Sequence, residues 1–157
     1  MASVVAPTQW TSVESLYRED GDRLWKAIFI FSGDPDIASD AVAEAFAQAL
    51  RRGDAIRNMR AWIWSTSFRI AAGELSKRGS SWLIPDAGYT DAIVDHELLE
   101  AVAELPVGQR EAVVLFYYVD SSVRDIAALT GRSQIAVRAN LSRGRKTLKQ
   151  ILGARDD

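Results

Sequence analysis

Residues 122–148 read Ser122-Val-Arg-Asp-Ile-Ala-Ala-Leu-Thr-Gly-Arg-Ser-Gln-Ile-Ala-Val-Arg-Ala-Asn-Leu-Ser-Arg-Gly-Arg-Lys-Thr-Leu148. Ser122 suits the cap of a short helix, with Asp125 three residues on forming a weak capping box, and Ile126, Ala127 and Leu129 give that helix one apolar side. Gly131 ends it. Ser133 then suits the cap of a second helix, in which Val137, Leu141, Gly144 and Leu148 recur at helical spacing and share a core-facing side. The opposite side carries Ile135, Ala139, Ser142 and Lys146, flanked by Gln134, Arg138 and Arg145, and from Arg132 to Arg155 there are seven basic residues and no acid.

Such a division is what a DNA-reading helix-turn-helix needs. The apolar stripe clamps the second helix to the first, while short polar and basic side chains reach base edges and phosphates. A short helix, a glycine and a second helix also occur in ordinary bundles, so the argument for DNA rests on the one-sided charge.

The whole chain has 157 residues, 48% hydrophobic and 25% charged, enough for one helical domain or two small ones with modest cores. Its net charge of −2 would argue against nucleic acid if it were uniform, but acids and bases are segregated along the sequence. With no cysteine and a single histidine, His96, thiol redox chemistry, zinc fingers and multi-histidine metal sites are excluded, and no cofactor is called for. The first residues lack a basic segment followed by an apolar core, and no apolar run approaches a membrane span. A cytoplasmic protein is expected.

Upstream, Thr11 and Glu14 read as a capping box, and Val13, Leu16, Tyr17, Leu24, Trp25, Ile28 and Phe31 follow a helical period that Gly33 ends and Gly21 could break or bend. Asp34-Pro35 is a strong start signal for a helix to about Arg52 that buries Ile37, Ala38, Ala41, Val42, Ala45, Phe46, Ala49 and Leu50. Its other side carries Asp36, Asp40 and Glu44 at four-residue steps, where like charges cost an isolated helix roughly 0.2–0.5 kcal/mol per pair. A solvated face, a basic protein partner and a metal site are the readings open to this stripe.

From Arg51 to Arg78 the balance reverses, with seven basic residues against Asp54 and Glu74. Asn58 suits the cap of a helix there, with Met59, Trp62, Ile63, Thr66 and Ile70 on one side and Trp64, Phe68, Ala71 and Leu75 in a second stripe. Either the helix is buried on two sides, or Trp64 or Phe68 lies near solvent among arginines, a combination that binds single-stranded nucleic acid by stacking and phosphate attraction. Residues 79–91 contain turn formers without a helical period and read as a linker, spanning about 20 Å as a coil and about 45 Å fully stretched. Asp95 caps the next helix, which stops at Leu105-Pro106, and another runs to about Val119; its apolar run from Ala112 to Val119 would read as a strand only in isolation.

This order of pieces resembles the extracytoplasmic-function sigma factors, which carry only the second and fourth conserved sigma regions. The matching residues are Leu16-Tyr17-Arg18, Gly33-Asp34-Pro35, Asp40-Ala41-Val42 with Glu44, Phe46 and Ala49-Leu50, then Arg60-Ala61-Trp62, Leu105-Pro106, Arg110 and the helix-turn-helix. The resemblance covers nearly the whole chain. It implies an all-α fold of two small helical domains joined by a flexible linker, with 1–78 as region 2, 79–94 as linker and 95–157 as region 4. It further implies that Asp36, Asp40, Glu44 and Gln48 dock on the clamp coiled coil of the largest subunit of core RNA polymerase. Arg52, Arg57, Asn58, Arg60, Trp64, Phe68, Arg69, Lys77 and Arg78 would then open the minus-ten element, the loop 52–58 holding a flipped base. Arg124, Arg132, Gln134, Ile135, Arg138, Ala139, Ser142, Arg143, Arg145 and Lys146 would read the minus-thirty-five element. An anti-sigma factor is a further partner of this family.

The chain departs from the family at Arg69 and Gly73, where asparagine and aspartate are common, at Asn140, often basic, and at Ala43, often polar. Two other classes fit parts of the sequence. One is a stand-alone helix-turn-helix transcriptional regulator; the other is a helical enzyme with Asp36, Asp40 and Glu44 as metal ligands, which lacks any supporting histidine cluster or glycine-rich phosphate loop.

Overall fold

A computed structural model describes residues 7–78 and 94–156, and all regular structure among them is helical. Helix α1 (Pro7–Ser32), α2 (Pro35–Arg52), a single 3-10 turn (Gly53–Ala55) and α3 (Met59–Arg78) form the first group. Helices α4 (His96–Ala103), α5 (Val107–Val113), α6 (Val123–Thr130) and α7 (Gln134–Asp156) form the second, with α5 continuing into a wider π-type turn over Val114–Tyr118. Apart from Val94, the expected linker lies outside the described residues.

Local chemistry sets most of these boundaries. Asp34 accepts the amide N–H groups of Asp36 at 2.7 Å and Ile37 at 3.2 Å, with Pro35 in the first turn, so α2 starts where the sequence predicts. Gly33 reverses the chain ahead of it at φ 69°. Asp95 caps α4 through the Glu97 N–H at 2.9 Å. Two expectations for α1 are corrected: it starts at Pro7, upstream of Thr11, and it runs through Gly21 without interruption. Proline pre-sets the first helical turn, and the Gly21 position has ordinary packing against the Tyr17 ring, so neither a later cap nor a break is needed. The apolar run after Ala112 is helical, because Val113, Val114 and Leu115 pack into the core between helices.

Helices α1, α2 and α3 pack pairwise, as do α5 with α7, α6 with α7 and α4 with α7. The groups also touch: α1 lies against α4 and the π turn, and α3 lies against α6, so the buried apolar side chains join into one cluster. Polar bonds cross the same junction. Ser65 Oγ on α3 donates to the Leu129 carbonyl at 2.7 Å, and the Arg23 guanidinium donates to the Val119 carbonyl. Arg110, only 7% exposed, donates to the carbonyls of Phe31 at 3.2 Å, Ala103 at 2.9 Å and Leu105 at 3.0 Å.

Burial lowers the Arg110 pKa to about 10, which still leaves the guanidinium charged at neutral pH. Arg110→Met keeps much of the volume but removes the donors from three buried carbonyls. The expected loss is about 3 kcal/mol or more of stability, read as a lower urea midpoint.

Candidate nucleic-acid interface

The helix-turn-helix is built as its sequence indicates. Ser122 Oγ accepts the Asp125 N–H at 3.0 Å to start α6, Gly131 closes it in the left-handed region at φ 72°, and Ser133 Oγ accepts the Ala136 N–H at 3.1 Å to start α7. Buried Ile126, Val137 and Leu141 hold the two helices together. Gly144 permits close contact with α5, since a Cβ there would sit 2.8 Å from Val113 Cγ2.

With the inner side fixed, Arg124, Arg132, Gln134, Ile135, Arg138, Ser142, Arg143, Arg145 and Lys146 are all exposed, and Ala139 is half-buried. The face is cationic with little internal neutralisation. Arg145 donates to the Tyr117 hydroxyl at 3.2 Å. Arg132 folds back over α5, where a Cβ on Gly108 would lie 3.2 Å from its guanidinium carbon, and its Nε is 4.0 Å from the Glu111 carboxylate.

The α2 stripe lies on the opposite chemistry. Asp36, Asp40 and Glu44 are exposed and Gln48 is half-buried. Glu44 accepts from Gln48 at 3.0 Å and from Arg51 at 3.1 Å, bonds that hold its carboxyl below the usual range. Among the described residues no three side chains of the metal-ligating types come together as an ion site, so the metal-ligand reading of the stripe has no geometric support.

On α3 the sequence expectation needs revision. Asn58 Oδ1 does cap the helix, accepting the Ala61 N–H at 3.1 Å. Trp64 and Phe68, however, are 6% and 1% exposed, which corrects the reading of either ring as near solvent. The Trp64 indole N–H donates to Asp20 on α1 at 3.0 Å, and Phe68 packs on Phe31 with ring centroids 5.3 Å apart. The helix is buried on two sides, against α1 and α2 and against α6. The ring that sequence reasoning missed is Trp62, half-buried, with the Arg52 guanidinium 5.4 Å above it. Its signal was the pairing of an arginine-rich loop with the first aromatic of the helix.

The basic residues of this segment are dispersed and partly engaged. Arg52, Arg57, Arg60, Arg69, Lys77 and Arg78 are exposed, but Arg60 bonds to Asp20 and Glu19, each at 2.8 Å, and Lys77 to Glu74 at 3.2 Å. Arg78 pairs with the capping carboxylate of Asp34; desolvation alone would raise that carboxyl's pKa, but the Arg78 bond and the two amide N–H groups outweigh it and lower the value. Arg69 lines a groove of about 340 Å³ together with Ser65, Glu111 and Arg132, so arginines assigned to two promoter elements share one cleft between the helix groups.

Residues 95–148 match the family model for sigma-70 region 4. The chain is 26% identical over 142 residues to RNA polymerase sigma factor SigV of Bacillus subtilis, covering 84% of this chain and 86% of that one. It is also 26% identical over 155 residues to the ECF RNA polymerase sigma factor BldN of Streptomyces coelicolor, covering 87% of this chain and 59% of BldN. The fold matches that of the sigma factor RpoE from Bartonella quintana, solved in complex with the anti-sigma factor NepR, with a TM-score of 0.74, 23% identity, and 89% and 96% of the two chains covered. The region 4 match and the sigma factor relatives, on a helical frame ending in a helix-turn-helix, support an RNA polymerase sigma factor of the extracytoplasmic-function type over a stand-alone regulator.

Two measurements test the site's construction. Trp64→Ala should cost about 3–5 kcal/mol of stability while Trp62→Ala costs much less, a ranking that paired thermal melts would reverse if Trp64 were the exposed ring. Burial raises the Glu111 carboxyl from 4.5 to about 7, with Arg132 pulling it back. Between those values the folded protein keeps a proton that the unfolded chain has released, so stability is full below pH 4.5 and falls as pH rises through about 7. The loss is up to about 3 kcal/mol, and Glu111→Gln should remove it, bringing the urea midpoints at pH 5 and pH 8 together.

Proposed function

We propose that this protein binds core RNA polymerase in the cytoplasm through the acidic side of α2, opens the minus-ten element with the loop 52–58 and α3, and reads the minus-thirty-five element with α7. The observation that carries this reading is the charge division between exposed helix faces, acidic along α2 and basic without an acid from Arg132 to Lys149. No chemistry of its own is required, since positioning and charge suffice for a specificity subunit.

Charge on α2 adds little to holding this fold: Asp36, Asp40 and Glu44 are exposed, Glu44 pairs only with neighbours on its own helix, and the helix is held by its apolar side. A basic coiled coil is the natural complement, with Gln48 beside Glu44 extending the contact. On α3, half-buried Trp62 under Arg52 offers the stacking surface that buried Trp64 and Phe68 do not, and Arg57, Arg69, Lys77 and Arg78 supply phosphate contacts. Trp64 and Phe68 then act only by holding α3 in place.

Promoter spacing calls for the two helix groups, residues 1–78 and 95–157, to act as separable domains although they share one apolar cluster in the structure. Elements centred at minus ten and minus thirty-five lie about 25 base pairs apart, or roughly 85 Å along B-DNA at 3.4 Å per pair. Arg69 and Arg132 line the same groove, so both elements cannot be touched until the helix groups part. A linker that reaches about 45 Å when fully stretched lets the helix groups part. An anti-sigma protein that holds the groups together would oppose it.

Glu44→Lys should weaken co-elution with core polymerase while leaving the thermal melt unchanged; unchanged co-elution would remove α2 as the docking face. In the resulting holoenzyme, Arg145→Ala or Lys146→Ala should weaken all promoters alike and reduce the salt slope of binding by about one unit.

A further inference from the structure

We infer that Ile135 reads the 5-methyl group of a thymine in the minus-thirty-five element. The inference rests on α7 being the base-reading helix. Ile135 is 79% exposed, more than any other large apolar side chain among the described residues, and it stands in the second position of α7. Neither the core nor the helix calls for it there. The inner side of α7 is filled by Val137 and Leu141, and a β-branched residue in the first turn adds no helix propensity.

Its surroundings identify what could cover it. Arg138, Ala139 and Ser142 follow at three, four and seven residues and so lie on the same side, with exposed Arg132 and Gln134 just before it. An apolar side chain set in a cationic face is complementary to a polyanion that offers one apolar point. In the major groove of DNA that point is the thymine methyl, which projects from the base edge and which aliphatic side chains contact. Ala139, one turn further on, is small and half-buried, leaving room for the edge of the base pair to reach Ile135. Arginines on either side would meet the phosphates and fix the depth of the helix, so the isoleucine adds discrimination rather than general affinity.

The test uses holoenzyme reconstituted from the full chain and core polymerase. Promoter duplexes enriched from a randomised pool are resynthesised with deoxyuridine replacing one minus-thirty-five thymine at a time, which removes a methyl group and nothing else. At one position this should weaken binding about fourfold, the worth of one buried methyl group. Ile135→Ala should bind the thymine duplex about as weakly as the native protein binds the deoxyuridine one, and should be indifferent to the substitution. Because the side chain is exposed, that variant keeps its fold, which an unchanged thermal melt confirms. Methyl dependence that survives in Ile135→Ala, or is absent at every thymine, overturns the inference while leaving α7 as the reading helix. Enrichment of no sequence overturns that reading and the inference with it. If Ile135→Ala instead loses core polymerase in co-elution, the side chain serves a protein contact and the methyl assignment fails.

Discussion

Three carbonyl groups left over at helix ends depend on one buried cation. The Phe31 carbonyl belongs to the last turn of α1, and those of Ala103 and Leu105 to the end of α4 and the corner before Pro106; helix geometry leaves such groups without intrahelical donors. Arg110 supplies donors to all three from within α5. A planar, permanently charged fork is suited to acceptors arriving from separate directions, whereas a lysine would offer a single point charge. While the helix groups lie together, the arrangement sets the start of α5 against the end of α1, and α7, packed on α5 at Gly144, takes its position from it.

The second organising feature is electrostatic segregation. A net charge of −2 conceals two surfaces of opposite sign on the same small molecule, each kept outward by an apolar side of its own helix. Fields of this kind change how often a charged partner arrives in a useful orientation more than they change the strength of the final contact. They also disfavour self-association through like faces. Internal neutralisation differs between the two surfaces: Glu44 already holds Arg51, while much of α7 presents its cations to solvent.

Helix starts were legible because caps are local. Asp34, Asn58, Asp95, Ser122 and Ser133 each meet an amide within three residues, and no distant contact is needed to recognise them. The all-α fold and the helix-turn-helix followed from those caps and the apolar period. The start of α1 was less legible, because Thr11 and Glu14 fit a cap that Pro7 makes unnecessary. On α3 the wheel showed two apolar stripes, and periodicity cannot say which neighbours cover them. Trp64 is buried because Asp20, forty-four residues away, accepts its N–H, and Phe68 because Phe31 meets it from α1. Trp62 lies one side over from both. Solvent access at that helix is a tertiary property, and so is the sharing of one cleft by Arg69 and Arg132.

The Ser65 bond to the Leu129 carbonyl ties α3 to α6, the first helix of the helix-turn-helix. If DNA engages the parted form, the fraction of molecules already parted multiplies the intrinsic affinity, and every ligand that selects that form sees its dissociation constant raised by the same factor. Core polymerase and promoter would then assist one another by equal amounts even without touching, because each relieves the other of a shared conformational toll. The strength of that mutual assistance has an upper limit set by the closed contact itself, so a single hydroxyl on α3 would help to set how sharply the protein separates idle encounters from productive ones.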